Sequence, residues 1–310
     1  MAFMSCWCGN EDLSEFGEGY RRCDVCQTLV AKISRRQADP RVKDDHADLY
    51  GRDYWFSHQT QDLQCPDIVS RSRSDLAERC VHWLRSLLQF KLPPAKVLEI
   101  GCAHGGFVAM LRQAGYDAQG LELSPSIVKL AQKTFDVPVL TGPIEDQKIA
   151  AGSLDAIVMM DVMEHLPQPL ATLGRCVDLL KPDGVLLVQT PAYPERKKLT
   201  QLRAIGHKFP QMLDLNEHLY LFSRTSAALL LERVDAAFIE FIPAIFDFYD
   251  MSFVASRSPL AQTTAKDRSG ALCSTISGRF MQAMLDLDDR RLNLLDRYRQ
   301  LGHQVQRTAG

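Results

Sequence analysis

The sequence has no long hydrophobic run and no marked excess of charge of either sign. None of its apolar stretches reaches the roughly 20 residues that a helix needs to cross a bilayer. Its 36 basic and 38 acidic residues leave a net charge of -2, which gives no general attraction to nucleic acid or to an anionic membrane. The first ten residues lack the basic start and apolar core of a signal peptide. We therefore expect a soluble, cytoplasmic protein without a membrane span.

Nine cysteines in such a chain indicate metal-bound or free thiols before disulfides. Four of them form two close pairs, Cys6 with Cys8 and Cys23 with Cys26, in a segment too short to bury much core of its own. Four thiolates around one Zn²⁺ would hold such a segment together. We expect residues 1–38 to form a zinc-ribbon-like module. A redox pair and unliganded thiols are the alternatives.

A strand, a glycine turn and a helix follow one another between residues 97 and 111. The apolar run Val-Leu-Glu-Ile predicts a short buried strand. The glycines that follow, Gly101, Gly105 and Gly106, let the backbone approach a ligand closely. Glu99 lies inside the strand, where a carboxylate suits a cationic ligand group rather than a pyrophosphate. The glycine spacing is not that of G-x-G-x-x-G, and no Lys-Ser/Thr pair follows to form a phosphate loop.

The alternation of strands and helices continues to residue 191. Glu122 ends the second strand about twenty residues past the glycines, where such folds place a carboxylate that binds the ribose hydroxyls. The third strand leads into Ile144 and Glu145. The fourth strand leads into the segment from Asp161 to His165. Because the carboxyl ends of parallel strands meet at one edge of a sheet, we expect these side chains to lie at a common site.

Together these segments resemble the class I S-adenosylmethionine-dependent methyltransferases over residues 96–191. The resemblance implies an α/β fold, a doubly wound, mostly parallel seven-stranded Rossmann-like sheet. It also implies that the acid of the first strand faces the methionine part of S-adenosyl-L-methionine, that the acid of the second binds the ribose, and that the residues after the third flank the adenine. Ala103 stands where the family usually has its middle glycine. The implied cofactor-binding residues are Glu99, Gly101, Ala103, Gly105, Glu122, Leu123, Ile144, Glu145 (with Asp146 as a substitute) and Asp161.

Further segments surround this domain, which we assign to residues 74–250. Residues 39–73 are polar and rich in turns, and in similar methyltransferases such a segment lies over the cofactor. Tyr50 and Tyr54 are therefore further candidates for the cofactor site, although aromatics that anchor a linker would show the same pattern. Residues 192–217 are predicted to be a substrate-capping insertion. Its basic residues either hold an anionic substrate or form a solvated helix face.

The C-terminal part continues the sheet and then leaves it. Residues 234–250 alternate apolar and aromatic side chains, which predicts the last strands, an antiparallel pair at the sheet edge. Residues 251–310 are assigned to a C-terminal unit: a loop over 251–270 and a charged amphipathic helix over 284–305. This helix either packs on the domain or pairs with a partner chain to form an oligomer.

Two histidines are candidate catalytic groups. Methyl transfer requires alignment of the reactants and exclusion of water, and a hydroxyl acceptor must also lose its proton. His218 is the preferred base because it follows the fifth strand on the substrate side. His165 is the second candidate, or a structural residue. In an alternative, Asp161, Glu164 and these two histidines hold a divalent cation such as Mg²⁺, as the similar acid-x-x-Glu-His pattern of some ubiquinone-pathway and small-RNA methyltransferases implies.

We predict an enzyme that moves a methyl group from S-adenosylmethionine to a hydroxyl of a small molecule or saccharide. RNA methylation is a second interpretation, which the net charge and the lack of an aromatic-basic stripe disfavour. C-methylation of a sugar is a third. A non-catalytic binding or scaffold protein that keeps the cofactor fold is the alternative of another class. The presence of Glu99, Gly101 and Glu122 disfavours it.

Overall fold

The computed structural model describes residues 5–32, 39, 41–62, 64 and 66–308. Residues 1–4 and 33–38 of the predicted ribbon therefore lie outside the described residues. The ribbon begins with three short antiparallel strands, in which β1 pairs with β2 and β2 with β3. Their bounds are β1 (Leu13–Gly17), β2 (Tyr20–Cys23) and β3 (Leu29–Ala31).

The remaining strands build the main sheet and close the ribbon. They are β4 (Lys96–Ile100), β5 (Asp117–Glu122), β6 (Val139–Thr141), β7 (Leu154–Met160), β8 (Leu180–Pro191), β9 (Tyr220–Leu221), β10 (Phe238–Ile242) and β11 (Asp250–Ser256). In the described chain the main sheet has seven strands in the order β10-β11-β8-β7-β4-β5-β6. The strands β4 to β8 run parallel, whereas β11 lies antiparallel to β8 and β10 antiparallel to β11. This confirms the predicted mostly parallel, seven-stranded Rossmann-like sheet.

Helices cover both faces of this sheet. They are α1 (Gln59–Gln61), α2 (Ile68–Asp75), α3 (Val81–Leu88), α4 (Gly106–Gln113), α5 (Pro125–Phe135), α6 (Pro169–Leu179), α7 (Leu199–Ala204), α8 (Arg224–Glu232), α9 (Ala265–Leu272) and α10 (Ile276–Thr308). Successive strand residues alternate between the two faces. Leu98 and Ile157 join the core formed with α6 and α8, whereas Val97 and Val158 join the core formed with α3 and α4. No helix in the described part of the chain is both long and apolar enough to span a membrane.

Residues 250–256 correct one expectation, because they form β11 rather than the start of a loop. All seven residues of β11 are buried, since the strand lies between β8 and β10. A strand that is buried on both faces need not alternate polar and apolar residues. The sequence of β11 therefore carries no strand signal and resembles the Ser- and Arg-rich segment that follows it. The sheet therefore extends past residue 250, and the expected antiparallel pair consists of β10 and β11.

The ribbon is joined to the main domain through its sheet and through its core. β3 pairs with β9, Leu29 opposite Leu221 and Val30 opposite Tyr220, so that the second sheet has the order β1-β2-β3-β9. The hydroxyl of Tyr20 donates to the backbone carbonyls of Asp214 and His218, both at 2.8 Å. The buried residues of the shared core are Tyr20, Leu29, Ala31, Tyr193, Leu202, Phe209 and Leu221. The ribbon and residues 192–222 thus form one structural unit.

The C-terminal helix α10 begins earlier than expected, at Ile276, and its first half packs on the domain. Met281, Met284 and Leu285 contact the core formed with α3 and α4, and Arg85 of α3 lies 2.8 Å from carboxylate oxygens of both Asp288 and Asp289. Phe280, Leu287 and Leu294 are exposed at a spacing of seven residues. This is the face on which the expected pairing with a partner helix would occur.

Candidate active site

A cavity of about 780 Å³ opens at the carboxyl ends of β4, β5, β7 and β8. It brings together most of the predicted site residues, as expected for the carboxyl edge of such a sheet. The predicted residues that line it are Tyr50, Tyr54, Glu99, Gly101, Ala103, Glu122, Leu123, Ile144, Glu145, Asp161, His165 and His218. Gly105 is absent from this lining. It precedes α4 at φ +77°, and a Cβ there would lie 2.9 Å from Ala131, so its role is local packing.

Glu99 presents an unsatisfied carboxylate at one end of the cavity. Its side chain is 4% exposed, and its Oε2 has no hydrogen-bond partner among the described residues. Burial raises the pKa of Glu99 well above its usual value. Next to it, Gly101 has φ +73°, and a Cβ would lie 2.6 Å from Val162 Cγ2, so only glycine fits this turn. A buried acceptor beside a close backbone turn fits the ammonium group of the cofactor's methionine part.

Glu122 is held in place by three backbone donors. Its Oε1 accepts from the amides of Leu123 at 2.8 Å and Ser124 at 3.1 Å, and its Oε2 accepts from the amide of Ala103 at 3.1 Å. Burial raises the pKa of this carboxyl. Ala103 itself lies in the left-handed region at φ +46°, a conformation that glycine adopts more readily than alanine. One acceptor position on Oε2 is left for a ligand hydroxyl.

The predicted adenine residues follow β6. Ile144 is buried and lines the cavity, and Glu145 accepts a hydrogen bond from the hydroxyl of Thr172. Asp146, the substitute for Glu145, instead forms a bidentate ion pair with Arg41, at 3.0 and 3.1 Å. This pair fastens the segment that precedes the domain to the edge of the cofactor site.

Residues 41–62 lie over the cavity, as expected of a covering segment, but their tyrosines are at the histidine end. The hydroxyl of Tyr54 donates to Glu217 Oε2 at 3.1 Å, and His58 Nε2 is 3.1 Å from Glu217 Oε1. The hydroxyl of Tyr50 is 3.3 Å from His165 Nδ1. Glu217 therefore anchors this segment, and both tyrosines border the acceptor part of the cavity rather than the acids Glu99 and Glu122.

The two candidate catalytic histidines face each other with ring centroids 5.0 Å apart. His165 Nδ1 lies 2.8 Å from the carbonyl of Glu217, and His218 Nδ1 lies 2.7 Å from the carbonyl of Met212. Because a carbonyl only accepts, Nδ1 carries the proton in each neutral ring and Nε2 keeps its lone pair. Two imidazoles with a fixed tautomer can therefore accept a proton or bind a cation at Nε2.

Glu164 completes this cluster. It is 1% exposed, its Oε2 accepts from Thr190 Oγ1 at 2.8 Å, and its Oε1 is 3.9 Å from His165 Nε2. Burial raises its pKa to about 7. The candidate ligand atoms of Glu164, His165 and His218 all lie within 4.8 Å of one another. Asp161, expected in this set, is instead bound by Arg79 at 3.2 Å and by the amide of Gln189 at 3.1 Å.

The polar residues of the cavity that were not predicted include Arg79, Glu217 and Asp250. Glu217 directly precedes His218, so its position was the available signal. Arg79 lies in the π-helical turn Leu76–Cys80 between α2 and α3, a feature often found at functional sites. Conversely, the basic residues of the insertion are not among those that line this cavity, and Arg203 pairs with Glu18 of the ribbon. Of the two alternatives for these basic residues, the anion site therefore has no support from the lining of this cavity.

The four cysteines of the ribbon converge as predicted. Their Sγ atoms all lie within 4.8 Å of one another, with Cys6 and Cys26 3.3 Å apart and Cys8 and Cys23 3.5 Å apart. A disulfide would require about 2.05 Å, whereas sulfurs on a tetrahedral zinc are separated by about 3.8 Å. The side-chain amide of Asn10 also donates to Cys23 Sγ at 3.4 Å, as outer groups do around thiolate ligands. The donor set and its geometry fit Zn²⁺.

Comparisons with known proteins agree with this geometry. A family model described as a methyltransferase domain matches residues 72–240. The ubiquinone biosynthesis O-methyltransferase of Xanthomonas campestris pv. campestris (strain B100) is 36% identical over 107 residues, which is 32% of this chain and 44% of that protein. The protein of the same name from Xanthomonas euvesicatoria pv. vesicatoria (strain 85-10) is 32% identical over 110 residues, 33% of this chain and 45% of that protein. The chain thus matches less than half the length of these relatives.

Solved structures with a similar arrangement include two further methyltransferases. A putative O-methyltransferase from Nostoc punctiforme PCC 73102 superposes with a TM-score of 0.48 and 14% identity, over 61% of this chain and 59% of that one. A possible histamine N-methyltransferase from Thermotoga maritima gives a TM-score of 0.44 and 18% identity, over 62% of this chain and 96% of that one.

Proposed function

Because the family match covers more than half of its residues, the chain belongs to the class I S-adenosylmethionine-dependent methyltransferases, and we propose that it methylates a hydroxyl of a small molecule or saccharide. The observation that carries the hydroxyl acceptor is the pair of histidines in the cofactor cavity whose Nδ1 atoms face carbonyls, so that each Nε2 keeps its lone pair. An alcohol or phenol must lose its proton on methylation, and a neutral imidazole is suited to accept it.

The cofactor end of the cavity would bind and orient S-adenosylmethionine. Glu99 would pair with its ammonium group, Glu122 would accept from the ribose hydroxyls, and Ile144 would pack against the adenine. When bound, the cofactor supplies a methyl group on an electrophilic sulfonium. The remaining work of the protein is alignment of the acceptor and exclusion of water, to which the covering Tyr50 and Tyr54 contribute.

At the acceptor end, His218 would take the hydroxyl proton at Nε2. Its Nδ1–H donates to the carbonyl of Met212 throughout, which fixes the ring in place. Glu164 would stabilise the imidazolium that forms, since a buried carboxylate at this distance favours the charged ring. His165, fixed in the same way by Glu217, would orient the acceptor oxygen.

Glu122→Ala is expected to weaken the binding of S-adenosylhomocysteine by about ten- to a hundred-fold, because the ribose loses its carboxyl acceptor and three backbone amides lose theirs. Calorimetric titration measures this directly. Glu232→Ala, which removes an exposed carboxylate at the end of α8, is the control and should bind like the wild type. Equal affinity in the Glu122 variant would remove this residue from the cofactor site, and no binding by the wild type would overturn the proposed function.

A second candidate for the histidine cluster is a divalent cation that binds the acceptor hydroxyl. The observation in its favour is the convergence of Glu164, His165 and His218. Two imidazoles and one carboxylate suit Mn²⁺, Fe²⁺ or Zn²⁺ better than Mg²⁺, which prefers oxygen ligands. On this alternative, titration with Mn²⁺ in the presence of S-adenosylhomocysteine should show one site that His165→Ala abolishes. Absence of such a site, with activity retained in EDTA, would leave the base mechanism.

We also propose that Cys6, Cys8, Cys23 and Cys26 bind a structural Zn²⁺. The support is the close approach of the four thiols, whose Sγ atoms all lie within 4.8 Å of one another. Metal binding then provides part of the folding free energy of the ribbon.

A further inference from the structure

Asp250 places a carboxyl group in the acceptor part of the cavity. It begins β11, opposite Pro191 of β8, and both residues line the cavity. Asp250 is 7% exposed, and none of the hydrogen bonds among the described residues involves its carboxyl group. Its oxygens are not among the fully enclosed unpaired polar atoms of the described residues, so they reach the cavity, where a ligand can bind them.

The other buried carboxyls at this end of the cavity are already satisfied. Glu164 accepts from Thr190, and Glu217 binds Tyr54 and His58. The half-buried Asp161 is held by Arg79 and Gln189. Among these four carboxyl groups of the described residues, only that of Asp250 has no hydrogen bond, so it is available to a molecule that enters the cavity.

We propose that Asp250 binds a second hydroxyl of the acceptor, so that the substrate carries two neighbouring hydroxyl groups. The inference deepens the proposed function and rests on it. One hydroxyl lies at His218 and is methylated, while the adjacent hydroxyl exchanges hydrogen bonds with Asp250. Sugars and catechols share this vicinal diol, and both present a ring face to the aromatic residues Tyr50, Tyr54 and Trp55 that line the cavity.

The protonation state of Asp250 suits a hydroxyl ligand. Burial, together with the charges of Asp161 and Glu164, raises the pKa of Asp250 to about 9, and the opposing effect of Arg79 is smaller. The carboxyl is therefore neutral near pH 7, where it can both donate and accept a hydrogen bond. A hydroxyl, which also both donates and accepts, matches such a partner.

The test compares diol probes with single-hydroxyl probes in the full-length protein. Transfer of a labelled methyl group would be measured for methyl α-D-glucopyranoside and catechol, and for cyclohexanol and phenol as their single-hydroxyl counterparts. We expect transfer to a diol probe and at least about ten-fold lower kcat/KM for both single-hydroxyl probes. The diol that reacts identifies the source as a sugar or a catechol.

Substitutions at Asp250 make the test specific to this residue. Asp250→Ala should lower kcat/KM for the diol at least about ten-fold, mainly through KM, and Asp250→Asn should restore most of the loss because an amide also donates and accepts. All variants should bind S-adenosylhomocysteine with wild-type affinity. Asp247→Ala, an exposed carboxylate on the turn before β11, is the matched control. If Asp250→Ala fails to fold, the Asp250→Asn variant and the comparison of diol with single-hydroxyl probes still test the inference.

Each contrary result has a distinct meaning. Equal kcat/KM for diols and single hydroxyls, or an unchanged Asp250→Ala variant, overturns the inference and leaves the proposed function in place. Equal losses in the Ala and Asn variants indicate a role for the negative charge and also overturn it, in favour of a cationic acceptor. Transfer to none of the four probes by a protein that binds S-adenosylhomocysteine overturns the diol assignment. Failure to bind S-adenosylhomocysteine overturns the proposed function itself.

Discussion

Cys23→Ser is expected to lose zinc and at least about a hundred-fold in methyl transfer while binding S-adenosylhomocysteine with nearly unchanged affinity. Cys23 ends β2, the strand that also carries Tyr20. The Tyr20 hydroxyl holds the carbonyls of Asp214 and His218, and Ala31 of β3 donates to the carbonyl of Leu219 at 2.9 Å. Without its metal the ribbon would release these contacts, and the segment with His218 would lose its fixed position.

The cofactor acids are attached to a different part of the molecule. Glu99 lies in β4, and the backbone amides that hold Glu122 belong to Ala103, Leu123 and Ser124. Their positions depend on the main sheet rather than on the ribbon. Turnover and cofactor affinity should therefore separate in this variant, which a general loss of stability would not produce.

Metal analysis, calorimetric titration and a methyl-transfer assay on the same preparation measure the three quantities. Cys273→Ser is the control, since this thiol is the half-buried residue that follows α9, in a part of the chain remote in sequence from the four cysteines. Tyr20→Phe should keep zinc and lose activity to a smaller extent, because it removes only the two hydrogen bonds. A Cys23 variant that has no zinc but turns over normally would show that the ribbon does not position His218.

His218→Ala is expected to lower kcat about a hundred-fold or more with unchanged affinity for S-adenosylhomocysteine. The loss follows because Nε2 is the proposed proton acceptor and alanine supplies no base in its place. Measuring kcat from pH 6 to pH 10 provides the diagnostic result. The variant should regain rate toward high pH, where a greater fraction of the acceptor is already deprotonated, whereas loss of a merely structural side chain would lower the rate equally at each pH.

Two comparisons make this result interpretable. His46→Ala removes an exposed histidine of the covering segment and should leave kcat unchanged. Activity of the wild type in EDTA, measured on protein that retains its ribbon zinc by metal analysis, separates the base from the cation alternative. Wild-type kcat in the His218 variant would exclude His218 as the base and leave His165 as the remaining imidazole of the cluster.

Local sequence patterns predicted the parts of the site that are built from neighbouring residues. Glu99, Gly101 and Glu122 belong to strand-turn-helix units whose geometry is set within about twenty-five residues, so their spacing was sufficient. The convergence of the four cysteines was predictable for the same reason, because two close cysteine pairs in a short segment are typical of a tetrahedral metal site.

Contacts between distant segments were not predictable from such patterns. Asp250 is buried because β11 pairs with β8, although the two strands are far apart in the chain. All residues of β11 are buried, so its sequence shows no alternation of polar and apolar residues that would indicate a strand. β9 has two residues, too few for any periodicity, although it joins the ribbon to the domain. Tyr50 and Tyr54 line the cavity, but Glu217, the residue that holds Tyr54 at the histidine end, lies 163 residues from Tyr54 in the chain.

The pairing of β3 with β9 also has a consequence for the order of events during synthesis. Tyr20 and the carbonyl of His218 that it binds are separated by 198 residues, so the ribbon leaves the ribosome long before its fourth strand exists. Until then β3 has an unpaired edge, which is prone to pair with other chains. Early capture of zinc would keep the first three strands in register during this interval, so shortage of the metal during expression should reduce the yield of folded protein more than its later removal.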